Sequence, residues 1–291
     1  MPLTYNGNAP AAATYNGNPV GEVTYNGVMV WRAAPSYPPY LKFSSANPFS
    51  IESSVWTPTW DGTMEYSTDA STWSVWDATT ISAAESNGTY YLYMRGSGNT
   101  IVTGAASSGF GISASAGTEV SCDGDIRTLL QYNDVENVTP GARCFMGLFA
   151  TNSYLVKAPD LLLDTVPVGG YNTMFYGCVD LRYAPRISAA ALNNACMASM
   201  FLNCTSLVTL PALKATVLPT ACYQTMFSGC SLIKLSETQT GEYQTPYRIP
   251  IEGTGSMGSN STANMFANTG GTFTGSPTIN TTYYTSNTVV S

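Results

Sequence analysis

Four carboxylates lie close enough in sequence to act in pairs: Asp61 with Glu65, and Asp123 with Asp125. Such pairs cleave glycosidic bonds, one carboxyl as acid and the other as base or nucleophile. Asp61 and Asp123 each precede a glycine, however, and Asp-Gly is a turn signal that accounts for both without chemistry. The run Ser-Cys-Asp-Gly-Asp at 121–125 offers two carboxylates to Ca²⁺ but lacks the remainder of an EF-hand loop. The chain has no histidine. Ser-His-Asp and Cys-His nucleophile systems are therefore excluded, and with no Cys-x-x-Cys pair ordinary zinc sites nearly so. No GxxxxGK[ST] phosphate loop occurs. These residues predict a protein that is not an enzyme, with no cofactor and no metal.

Cysteine is the remaining reactive type. There are seven, an odd number, and most recur at a fixed interval, which argues against a disulfide framework. Cys178, Cys204 and Cys230 are equivalent members of one series. Three readings compete: a metal ladder, which finds no histidine or acidic ligand beside it; disulfides, which leave one of three equivalent thiols out; and buried free thiols, the reading favoured here. Tryptophan offers binding instead of reaction. All five Trp residues precede residue 80, and an indole on a sheet face stacks on sugar rings or fills a protein interface. Trp56, Trp60 and Trp76 are the candidate ligand platform, against burial in the core or use at a subunit interface.

Elements must position these groups, and the clearest is a repeat. Phe149, Phe175, Phe201 and Phe227 are each 26 residues apart. Three positions later stand Asn152, Cys178, Cys204 and Cys230; six later, Leu155, Leu181, Leu207 and Ile233; ten later, Pro159, Pro185 and Pro211, with Glu237 breaking the series. Five before each Phe come Cys144, Gly170, Cys196 and Cys222. Five columns at one period predict stacked coils whose equivalent side chains form internal ladders. Phe fills each coil, Leu or Ile lies on an adjoining short strand, and Cys is the small side chain that tolerates a dry bend; Asn152 is expected to bond the turning backbone. Ile126, Leu129 and Leu130 read as an irregular opening rung, and Met265-Phe266 as a late, degenerate one.

Upstream, period-two alternation in TMEYS (63–67), STWSVWD (71–77) and TYYLYMRG (89–96) predicts strands with two distinct faces. Asp61-Gly62 and Asn87-Gly88 mark turns. Before that, Thr-Tyr-Asn-Gly occurs at 4–7, 14–17 and 24–27. Each copy reads as a short strand and a tight turn, and so short an arm cannot form its own core; Tyr5, Tyr15 and Tyr25 are its candidate docking residues. The predicted fold is mainly β, in five parts: a docking arm (1–34), a Pro-rich linker (35–40), a β-sandwich-like domain (41–121), a short leucine-rich-repeat-like solenoid with 26-residue coils (122–250) and a β cap (251–291).

Composition limits the partners. Charged residues make up 10% of the chain, against about 25% in a typical soluble domain. Net charge is −7 and the eleven Lys and Arg are dispersed, so nucleic acid, which demands clustered cations, is not an expected partner. No apolar run approaches the ~20 residues that cross a bilayer, and MPLTYNGNAP has neither the basic nor the apolar region of a secretory signal. Assembly inside a cell is expected, or else loss of a signal.

The unit MFxxCxxL followed four residues later by Pro resembles the BspA-like leucine-rich repeat family, found on bacterial surfaces and in related proteins of gut microbes and their phages. The resemblance covers about 144–236, with a period longer than that family's commonest unit. WDGTMEYSTDASTWSVWD (60–77), MRGSGNTIVTG (94–104) and MFANTGGTFTGSPTINTTYYTSN (265–287) look like a module that accompanies such repeats. The TYNG units look like leaders of phage fibre or decoration proteins. The resemblance implies adhesion or surface display, with no site residues to carry over. A virion structural protein is the expectation: docked by its arm on other virion proteins or sister chains, homo-oligomeric with a trimer as one option, and presenting a surface to host glycan or protein. A bacterial cell-surface adhesin is the alternative.

Overall fold

Thr, Tyr, Val and Phe alternating with small polar residues, and punctuated by Gly and Asn, favour pleated strands over helices; the chain is mainly β. The computed structural model describes residues 13–15, 18–20, 22–25 and 28–32 as backbone strands, and residues 37–53, 59–104 and 109–291 in full. Among the described residues there is no α-helix, and of the several sheets none closes. The chain divides into two units, Met1–Pro38 and Pro39–Ser291.

In the first unit, β1 (Ala13–Tyr15) pairs antiparallel with β2 (Asn18–Val20), and β3 (Glu22–Tyr25) with β4 (Val28–Arg32). Tyr15 lies opposite Asn18, and Tyr25 opposite Val28. β1 and β3 thus end on the Thr-Tyr of the second and third TYNG copies. The first copy, with Tyr5, lies outside the described residues.

The second unit opens with β5 (Leu41–Ser45), β6 (Phe49–Ser53), β7 (Thr63–Ser67), β8 (Ser74–Val75), β9 (Ile81–Ser82), β10 (Ala84–Ser86), β11 (Thr89–Ser97), β12 (Phe110–Ala114), β13 (Val120–Asp123) and β14 (Leu155–Lys157). One sheet runs β14-β13-β5-β11-β7-β8, with β10 also on β11; a second runs β12-β6-β9. Period two is visible in burial: Leu41, Phe43 and Ser45 of β5 face inward, as do Leu92 and Met94 of β11. All pairs of the first sheet are antiparallel except β13–β14. Because β14 belongs to the first 26-residue repeat, the sheet passes directly into the repeats. The segments expected as sandwich, repeats and cap therefore share one unit and one continuous core.

The repeats lie against one another in register. Phe149, Phe175, Phe201 and Phe227 are fully buried, and their rings are nearly parallel, with centroids 5.6, 5.4 and 5.5 Å apart. Each such contact is worth about 0.5–1.5 kcal/mol beyond burial. Leu155, Leu181, Leu207 and Ile233 form a second buried column, and Cys144, Cys196 and Cys222 lie in a third. On the other walls, β15 (Thr165–Val166) pairs in parallel with β16 (Ala191–Leu192). Further along are β17 (Thr209–Pro211), β18 (Val217–Leu218), β19 (Leu235–Ser236), β20 (Thr245–Arg248), β21 (Ser256–Met257), β22 (Thr282–Thr285) and β23 (Thr288–Val290).

The wall bearing the Phe residues is neither strand nor helix but a row of consecutive turns. Along it, alternate N–H groups donate to the next repeat, as Phe149 does to Met174, Phe175 to Met200 and Phe201 to Met226, each at 2.9 Å. The intervening N–H groups close turns within the row, as Cys178 does on Phe175 at 3.1 Å. This geometry requires positive φ two residues after each Phe, and again two and six before it. The positions are 143, 147 and 151; 169, 173 and 177; 195, 199 and 203; 221, 225 and 229; and 260, 264 and 268, and every one is left-handed. Gly and Asn fill eight of these places without strain, whereas Thr151, Thr173 and Thr225 are β-branched residues in a region that costs them free energy.

The last set belongs to a fifth rung. Phe266 stacks on Phe227 at 5.3 Å, and Phe227 donates to Met265 as earlier Phe residues do to their successors. The stack therefore continues into the segment expected to be cap. Between these two Phe residues the spacing lengthens to 39, and the added chain contributes β20. With β19 and β22 it makes an antiparallel sheet in the order β19-β22-β20. Tyr247 of β20 meets Phe266 edge-on at 6.2 Å and closes the column. β23 then returns to pair in parallel with β17, and β21 pairs with β18.

Candidate functional site

The paired carboxylates are occupied by their own chain. Asp61 accepts from the Thr100 and Ile101 N–H groups at 2.8 and 2.9 Å and from the Thr100 hydroxyl. Burial works against its charge, but these hydrogen bonds outweigh it and hold its pKa below the ordinary value. Glu65 pairs with Arg95 at 2.8 Å, and that guanidinium lies between the Trp73 and Tyr132 rings, 3.9 and 4.0 Å from their centroids. Asp123 pairs with Lys157, and Asp125 caps the 3₁₀ turn Ile126–Leu129 while pairing with Arg127 at 2.9 Å. All four carboxylates serve turns and ion pairs. Among the described residues no group of three potential metal ligands converges.

The cysteine column has a specific bonding role. The thiols of Cys178, Cys204 and Cys230 donate to the carbonyls of Phe149, Phe175 and Phe201 at 2.9, 3.0 and 3.0 Å. Each links one repeat to the Phe of the repeat before it. Burial pushes Cys178 and Cys230 up to about 12, so these are protonated donors, not nucleophiles. Asn152 makes the same link at the head of the column, its Nδ2 donating to the Phe110 carbonyl at 2.6 Å. Phe110 of β12 is therefore the ring before Phe149, and the two meet edge-on at 6.1 Å. Sequence reading missed Phe110 because it precedes the periodic region.

Of the Trp platform, Trp76 must be corrected: it is 2% exposed. Its indole N–H donates to the Thr79 carbonyl at 2.7 Å, and its ring meets Phe110 edge-on at 5.2 Å. It extends the Phe column inward and is unavailable to a ligand. β8 ends at Val75, which is exposed, so simple alternation does not describe this stretch. Trp60 is half-buried, with one face stacked on Trp76 at 4.9 Å. Trp56 lies outside the described residues. For the docking residues, Tyr15 and Tyr25 are placed at the ends of β1 and β3.

A groove of about 790 Å³ lies where β12 and β6 stand beside the first repeats. One wall is β12 with its neighbour: Gly109, Gly111, Ser113 and Glu52. The floor is the row of turns, where Ala150, Tyr176 and Leu202 occupy the place after successive Phe residues, flanked by Thr151, Thr173 and Ser199. Gly109 permits the close approach: a Cβ there would lie 2.5 Å from the Leu148 oxygen. Phe110 N–H donates to that same Leu148 carbonyl at 2.7 Å.

Neither a family model, nor a curated protein, nor a solved structure matches this chain. What the arrangement can do must be read from its own groups. The groove offers hydroxyls, glycine backbone, one carboxylate and an exposed phenol ring on a base tied together by repeat-to-repeat hydrogen bonds. The signal that could have located it is the place after each Phe, where Tyr176 breaks a series of Ala, Leu and Ser.

Proposed function

We propose that this chain is a non-enzymatic structural and attachment protein, a virion protein of fibre or decoration type in a phage of gut bacteria. On this reading the unit Met1–Pro38 docks on other virion proteins or on sister chains, with a homotrimer as one arrangement. The stacked repeats form a short solenoid of leucine-rich-repeat-like, BspA-like character that displays a surface to host glycan or protein. The observation that carries the reading is the division of labour in the chain: a small hairpin unit on one side of Pro38, and on the other a single body held by one aromatic column from Trp76 to Phe266. Thirty-odd residues bury too little to be independently stable and gain from a partner. Interlocked repeats keep an exposed surface in fixed geometry, which lowers the ordering cost of binding.

The test is removal of residues 1–38. The shortened chain is expected to unfold at the same temperature as the full chain within a few degrees and to be lost from density-banded particles. Normal incorporation of the shortened chain would overturn the docking role. A second reading, a bacterial cell-surface adhesin, is favoured by the MFxxCxxL repeat itself; in that case the full chain fractionates with the cell envelope and no particle fraction contains it.

A further inference from the structure

We propose that the groove between β12 and the first repeats binds a neutral, extended glycan, with Tyr176 as the stacking platform. This rests on the attachment reading above and names the ligand class and the place. Tyr176 is 37% exposed, and its neighbours along the floor are the apolar Ala150 and Leu202. A pyranose ring presents an apolar face to such a phenol and hydroxyls to its surroundings. The flanking hydroxyls are pre-set to receive them. Thr151 and Thr173 spend their protons on the carbonyls of Ala150 and Asn172, each at 2.7 Å, and Ser199 shares one proton with Thr225 at 2.8 Å. Their remaining lone pairs are acceptors for ligand O–H groups.

Charge and edge chemistry exclude the competitors. Among the described residues no Lys or Arg lines the groove, and Glu52 is the one charged group there, one carboxylate oxygen of which accepts from Thr80 at 2.9 Å. An anionic polymer finds no counter-charge there and meets a carboxylate. An extended peptide would add to the free edge of β12, but that edge is already used: the N–H groups of Phe110 and Ile112 go to Leu148 and Asn152, and the Phe110 carbonyl accepts from Asn152.

Affinity electrophoresis of the full chain in gels holding laminarin, xyloglucan, galactomannan or mannan tests this, with polygalacturonate as the anionic comparison. At least one neutral polymer is expected to retard the chain. Tyr176→Ala should weaken that retardation about tenfold, the worth of one ring stack, while Tyr176→Phe stays within about twofold. Tyr176 lies at the surface, so Tyr176→Phe should leave the melting temperature unmoved and Tyr176→Ala should leave the chain folded. Stronger retardation by polygalacturonate, retardation by none of the polymers, or indifference to Tyr176→Ala would each overturn the proposal. Host-cell adhesion that survives Tyr176→Ala sinks the groove and leaves attachment standing; incorporation that survives loss of residues 1–38 overturns the docking role of the arm and leaves the groove standing.

Discussion

Asn152 holds Phe110 through both ends of its amide: Nδ2 donates to the Phe110 carbonyl at 2.6 Å, and Oδ1 accepts from Ile112 N–H at 2.8 Å. One step along the column, Cys178 makes only the first of these bonds, to Phe149. The difference follows from what lies in front of each. In front of Cys178 stands another repeat, whose own N–H groups are spent on the stack. In front of Asn152 stands β12, a strand with a free N–H to satisfy. A residue with a donor and an acceptor is needed at that junction, and a donor alone suffices everywhere after it.

Asn152→Cys should therefore be costly although it restores the repeat's consensus. The thiol still reaches the Phe110 carbonyl, but Ile112 N–H is left buried and unpaired, at about 1–3 kcal/mol. Urea unfolding of the second unit reads the loss directly. An unchanged midpoint would mean that Ile112 finds another acceptor and that β12 is not fastened by this amide.

The row of turns makes two opposite predictions from one cause. Gly177 has φ +68°, and a Cβ there would make only ordinary contact, 3.6 Å from the Thr151 methyl. Gly177→Ala thus tests backbone strain without a clash and should cost about 1 kcal/mol. Ala221 sits at φ 55° in the equivalent row. Ala221→Gly should relieve the same strain and raise stability by up to about 1 kcal/mol, the flexibility of glycine offsetting part of the gain. Paired thermal melts decide the matter, and equal signs for the two variants would refute the left-handed geometry of the row.

The repeat was legible because its columns are filled by residues with no cheap substitute: a buried Phe, a small thiol, a Leu. The left-handed row was hidden for the opposite reason. Positive φ is signalled by Gly and Asn, as at Gly147, Asn203 and Asn264, but Arg143, Ala195 and Thr225 adopt it under the pull of hydrogen bonds to the next repeat and carry no mark in their type. The fifth rung was visible as Met265-Phe266 but stood out of register, because 13 additional residues supply β20. Trp76 was ambiguous as an indole on a short strand; only the Thr79 carbonyl and the edge of Phe110 decide that it points inward. The groove has no motif because its lining comes from separate stretches of the chain and includes Gly109, Gly111 and Gly147, which carry no side chain to mark it.

The buried thiols predict an alkaline limit to stability. Burial lifts Cys178 from its ordinary 9.0 to about 12, and Cys230 likewise. A raised folded-state pKa means that the folded chain keeps the proton while the unfolded chain releases it. The contribution is intact below pH 9 and is lost as the pH rises from 9 towards 12. Each such thiol steepens the decline by about 1.4 kcal/mol per pH unit over that window. Cys178→Ala should lower stability at pH 7, through the missing bond to Phe149 and a small cavity. It should then lose stability less steeply than the parent above pH 9, so that the two curves converge. Parallel curves through pH 10.5 would show that this thiol is already ionised or exposed in the folded chain. Alkylation at pH 8 gives an independent check: iodoacetamide should label none of the seven cysteines, all buried, until denaturant is added.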